Sequence, residues 1–148
     1  MEKILQGFQG IFFDKYVEQE LIKLQLQGLC DNIENMHITF HFGDIEKYPD
    51  NLMGKEFTIT LVGYASDGKN SGFSVVLPDE LKVFYKNSGI PHITVSIGEV
   101  DGVKGKPVDT AKLDFKAIKQ PVEIQGELGY FIFGKGKCMD NTIFRDVC

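Results

Sequence analysis

The sequence predicts a mixed α+β fold built mostly from antiparallel strands, and three observations predict it. Stretches with apolar residues at every second position dominate the chain. Only two segments carry helical spacing, and glycine-, proline- and asparagine-rich turns separate neighbouring strand-like stretches closely enough for hairpins. A length of 148 residues fits one compact domain, residues 1–148, or two small lobes sharing a core.

The elements follow in order. Residues 10–13 read as a short buried strand, and Asp14 then reads as a helix N-cap. Val17, Leu21, Ile22 and Leu24 recur at helical spacing as far as Leu26, with Gly28 as the stop. Residues 36–42 alternate as a strand: His37, Thr39 and His41 fall on one face, and Ile38, Phe40 and Phe42 on the other. After a polar connection over 43–54, residues 56–64 form a strand in which Phe57, Ile59 and Leu61 alternate. Asp67-Gly68-Lys69-Asn70 is a turn, and residues 72–77 are its hairpin partner. Pro78-Asp79-Glu80 opens a short helix carrying Leu81, Phe84 and Tyr85 on its apolar side. Residues 91–97 form the next strand, with His92, Thr94 and Ser96 sharing a face. A glycine-rich, lysine-bearing loop covers 101–107, and Asp109-Thr110 cap a short turn. Residues 122–127 and 129–133 predict a terminal hairpin turning at Leu128-Gly129.

Composition excludes several classes. A formal net charge of -5 argues against a sequence-blind grip on duplex DNA, which needs an extended basic face. Lys104-Gly105-Lys106 and Lys135-Gly136-Lys137 are local basic spots, or simply solvated turn lysines. Cys30, Cys138 and Cys148 are odd in number and show no C-x-x-C spacing. Neither a disulfide framework nor a zinc site is expected, and a reducing cytoplasm fits. The opening residues, Met1 to Gly7, hold no long apolar run, so neither a signal peptide nor a membrane-spanning helix is expected.

Two of the three histidines begin the same tripeptide, His37-Ile38-Thr39 and His92-Ile93-Thr94, one in each half of the chain. On a strand each tripeptide offers an imidazole and a hydroxyl to one surface while its isoleucine anchors the other. Two such units facing each other suit cleavage of a phosphate ester. One histidine activates a nucleophile as base and the other protonates the leaving oxygen, both within reach of neutral pH. Thr39 and Thr94 then supply donors to the charge that develops on the non-bridging oxygens. The chemistry calls for no metal or other cofactor. His37 and His41 cannot share one ion, because i, i+4 positions on a strand lie about 13 Å apart. His41 is expected to be exposed or to support its neighbours. Phe42, Tyr48, Tyr64, Phe73, Tyr85 and Tyr130 are candidates for stacking on bases.

These residues resemble the two-histidine (2H) phosphoesterase superfamily, whose hallmark is a pair of His-x-Thr/Ser-x motifs. Here the motifs read His37-Ile38-Thr39-Phe40 and His92-Ile93-Thr94-Val95, the second preceded by Pro91. The resemblance covers most of the chain, with residues 7–13 as its first strand. It implies a bilobal α+β fold in which two antiparallel sheets, related by pseudo-twofold symmetry, line a central groove with one motif per lobe. It also implies His37 and His92 as catalytic pair, Thr39 and Thr94 as phosphate-holding residues, and no metal. The implied substrate is a nucleotide or short RNA end with a 2′,3′-cyclic phosphate or a 2′-5′ linkage. A cyclic di- or oligonucleotide immune signal, as for some phage members, is the alternative within the class. Outside the class, the same groove suits a binding module for a phosphorylated ligand.

Overall fold

A computed structural model of the protein describes residues 4–145. Met1 to Lys3, part of the opening stretch read above, and Cys148 lie outside the described residues. In chain order the elements are β1 (Gln6–Phe12), α1 (Lys15–Leu24), β2 (Asn32–Ile33), β3 (His37–Asp44), β4 (Glu56–Ser66), β5 (Asn70–Val76), α2 (Asp79–Lys82), β6 (His92–Ile97), β7 (Glu99–Val100), β8 (Val103–Lys104), β9 (Lys116–Ile132) and β10 (Gly136–Cys138). The fold is mixed α+β with antiparallel pairing throughout the described strands.

Eight strands form one connected sheet in the order β2-β6-β5-β4-β9-β1-β3, with β10 added on β9, while β7 and β8 make a separate ribbon. The long strands β4 and β9 sit at the middle. Moving outward from them, β5 and then β6 lie on one side, and β1 and then β3 on the other. The strands that open on His37 and His92 therefore lie far apart along the sheet. Even so, they touch each other directly, so the sheet curls round.

The core forms where the apolar alternation of these strands meets. Ile11, Ile38, Phe40, Ile59, Leu61, Ile93, Val95 and Leu128 are all fully buried, joined by Leu21 from α1 and Leu81 from α2. Each such side chain contributes about 1.5–3 kcal/mol by leaving water. Asp14 caps α1 as its sequence position predicts, its Oδ1 accepting from the Val17 amide at 2.9 Å. The helix ends earlier than expected, at Leu24, which is 51% exposed. Gln25 turns inward in its place and donates from Nε2 to the Gly72 carbonyl at 2.7 Å.

The expected terminal hairpin is corrected. β9 is one strand of 17 residues that runs straight through Leu128 and Gly129. Leu128 is fully buried opposite Ile11, and Gly129 faces Gly10. The glycine marks a close approach, since a Cβ there would fall 2.5 Å from Met139 Sδ. The chain reverses only after residue 132, and β10 then pairs back onto β9.

Both histidine strands carry the same irregularity. In β1/β3, Thr39 pairs with Gly10 and His41 with Gln9, leaving Phe40 as an extra residue. In β5/β6, Thr94 pairs with Gly72 and Ser96 with Ser71, leaving Val95 as the extra residue. The bulge resets the alternation, because directly opposed residues share a face. Gln9 and Ser71 point into the core, 2% and 0% exposed; Ser96 follows at 0%, while His41, opposite Gln9, is only half-buried. So His41 and Ser96 leave the face of the preceding threonine, whereas Phe42, opposite Phe8, joins it.

Candidate active site

His37 and His92 are held in the same way. His37 Nδ1 lies 3.1 Å from the Asn35 carbonyl, and His92 Nδ1 lies 3.0 Å from the Ile90 carbonyl, each two residues back. A carbonyl only accepts, so Nδ1 carries the proton in the neutral ring and Nε2 keeps its lone pair. The strand beyond each ring is anchored by its buried isoleucine, Ile38 or Ile93.

The bulges tie the two strands together. The Val95 carbonyl accepts from the Glu34 amide at 2.9 Å, on the segment leading to His37. The Phe40 carbonyl accepts from the Lys86 amide at 2.8 Å, on the segment leading to His92. Each extra residue thus spends its carbonyl on the approach to the other histidine. Asn87 Nδ2 adds a contact to the Thr39 carbonyl at 3.4 Å. The Met36 amide is held by Glu18 Oε2 of α1 at 2.9 Å.

The electrostatics of His37 include the charge of His92. Burial is the main cause that holds His37 below its ordinary value; the Asn35 bond opposes it, and the charges of His92 and then Lys137 reinforce it. Burial likewise lowers His92, opposed by its bond to Ile90. Both rings therefore favour the neutral form near pH 7.

The threonines differ. Thr39 is half-buried, and its hydroxyl has no hydrogen-bond partner among the described residues, so it is free to donate. The Thr94 hydroxyl lies 2.8 Å from Thr110 Oγ1 and 3.2 Å from the Pro107 carbonyl. Thr110 is fully buried and also accepts from Asn70 Nδ2 at 3.0 Å. His41 Nε2 bonds the Asp44 carbonyl at 2.9 Å, which ties it to its own strand end.

Sequence reasoning missed the floor under His37. Its ring stacks on Phe8 with centroids 4.6 Å apart and lies 5.8 Å from Phe12, while Phe8 stacks on Phe131 at 5.0 Å and 9°. Gly129 leaves space for one of these rings: a Cβ on it would fall 3.0 Å from Phe12 Cδ2. Phe8-Gln9-Gly10-Ile11-Phe12 held the signal, because period two puts Phe8, Gly10 and Phe12 on one face. The sequence places Lys137 in a local basic spot or a solvated turn. Its Nζ lies 5.4 Å from the Phe12 ring centroid, beside His37. Of the stacking candidates, Tyr48, Phe73 and Tyr130 are corrected to core residues at 3%, 2% and 0% exposure.

A cavity of about 430 Å³ lies elsewhere, between the end of α1 and β4, and contains neither histidine. Among the described residues no group of three or more His, Cys, Asp or Glu is placed to hold a metal ion. No helix among the described residues is long and apolar enough to cross a membrane.

No protein-family model matches this chain, and no curated protein matches it.

Proposed function

We propose that this protein is a phosphodiesterase that uses His37 and His92 as a general acid/base pair on one phosphate. The observation that carries the reading is the matched restraint of the two rings. Each has Nδ1 fixed to a carbonyl two residues back, and each rides on a strand tied to the other's approach. The substrate class is a nucleotide or short RNA end with a 2′,3′-cyclic phosphate or a 2′-5′ linkage. The two-lobed, pseudo-twofold arrangement belongs to the same proposal. The mirrored strand order about β4–β9 and the bulges at Phe40 and Val95 support it.

In the proposed step, Nε2 of the neutral ring takes a proton from a water or a neighbouring hydroxyl as its oxygen attacks phosphorus. The bond to the leaving oxygen breaks on the opposite side, and that oxygen takes the proton from Nε2 of the other, protonated ring. The Thr39 hydroxyl donates to a non-bridging oxygen, and Lys137 brings a positive charge to the same side. The Thr94 hydroxyl, which donates to Thr110 Oγ1 and the Pro107 carbonyl, turns from them to donate to another non-bridging oxygen. Proton exchange with solvent restores the pair.

The test is mass spectrometry of a panel of 2′,3′-cyclic mononucleotides, 2′-5′ dinucleotides and cyclic dinucleotides incubated with the protein in EDTA. Turnover of at least one member by the wild type, lost in His92→Ala, is the expected result. A panel left unchanged contradicts the reading and favours a module that only binds phosphorylated ligands.

A further inference from the structure

The face that carries His37 does not stop at the histidine. Directly opposed residues share a face, so the register places His37, Thr39 and Phe42 of β3 together with Phe8, Gly10 and Phe12 of β1. It adds Gly129 and Phe131 of β9, with Lys137 of β10 opposite Phe131. Phe133, two residues beyond Phe131, meets the Phe42 ring edge-on at 5.8 Å. Between His37 and that pair the rings of Phe8, Phe12 and Phe131 lie within 26° of parallel to their stacked neighbours. Phe42 is 66% and Phe133 51% exposed, so the aromatic face reaches solvent at its far end.

We infer that this face binds the bases of a single-stranded oligonucleotide whose backbone continues past the phosphate at the histidines. The inference rests on the phosphodiesterase reading and specifies its substrate. From His37 to Phe42 the strand spans about 16 Å, a length that takes several bases at about 3.4 Å per stacked base. Flat aromatic side chains bind flat bases without sequence preference. The imidazole and Lys137 at one end of the same surface give it the mixed character that alternating base and phosphate require. A second protein surface has no use for an imidazole held with its Nε2 free. A duplex, with its bases already stacked inside, does not reach these rings.

The experiment is fluorescence anisotropy of a fluorescein-labelled, 2′-O-methylated tetraadenylate, which closes the neighbouring-hydroxyl route to cleavage, with the probe checked for intactness by mass spectrometry. Wild type, the double variant Phe42→Ala with Phe133→Ala, and Leu26→Ala, exposed at the cavity away from the histidines, are compared. Both rings are exposed, so their truncation leaves the core intact. Wild type and Leu26→Ala are expected to bind alike, and the double variant roughly five- to hundredfold more weakly. Equal binding by the double variant, or none by the wild type, overturns the inference. So does wild-type self-association that the two truncations abolish without any oligonucleotide binding. The two readings fail separately. Turnover of a cyclic mononucleotide with unchanged tetraadenylate binding in the double variant removes only this inference. Binding that depends on the phenylalanines, with no turnover of any panel member, leaves it standing and removes the catalytic proposal.

Discussion

At the scale of single residues, the proposed chemistry depends on how two imidazoles are prepared. The carbonyls of Asn35 and Ile90 fix Nδ1 of each ring and point Nε2 away. Burial then favours the neutral form of both, and at His37 the charges of His92 and Lys137 push in the same direction. A pair that works as acid and base needs one proton between them, and the fraction carrying one proton peaks midway between the two values. Both values lie below the ordinary 6.5. The kcat/KM profile, which reports the free enzyme, is therefore expected to be bell-shaped with its maximum on the acid side of pH 6.5. A pH–rate profile measured on the reactive member of the panel checks this, and a maximum above about pH 7.5 contradicts it. The histidines and threonines were legible because a repeated tripeptide is a local signal. The phenylalanine floor was not, because it comes from β1, β3 and β9, which only the fold brings together.

At the scale of elements, the bulges set the geometry of the site. Simple alternation would have kept His41 beside Thr39 and Ser96 beside Thr94. The extra residues Phe40 and Val95 take both off that face, which leaves one imidazole and one hydroxyl per strand on it. The glycines opposite the threonines make this possible. A Cβ on Gly10 would fall 1.8 Å from the Ile38 carbonyl oxygen, and one on Gly72 would fall 2.3 Å from that of Ile93. Neither carbonyl can yield without parting the strands. Gly10→Ala and Gly72→Ala are each expected to lower the unfolding free energy by about 1–3 kcal/mol, read from urea titrations. Losses within roughly 0.5 kcal/mol would show that the strands do not meet this closely. Most elements were legible from period-two alternation and turn residues. The bulges were not, since an extra residue changes pairing without changing the apolar pattern. The single long β9 was misread for a related reason: Leu128-Gly129 looks like a turn until Gly10 is known to lie opposite.

At the scale of the whole molecule, the sheet order separates β3 from β6 by the full run β1-β9-β4-β5, yet the curled sheet and the two reciprocal hydrogen bonds bring them into contact. No local pattern announces this. The carbonyls of Phe40 and Val95 are released by their bulges and taken up across the gap, so the irregularity in each strand is also the joint between them. The central claim is that the two rings brought together in this way serve one phosphate as a unit. It is tested most directly by kcat for His37→Ala, His92→Ala and the double variant on the same substrate. Each single variant is expected to lose on the order of 10²–10⁴-fold, and the double variant no more than the worse single, since removing either member of a unit already disables it. Losses that multiply in the double variant, or a single variant that keeps wild-type kcat, would contradict the claim.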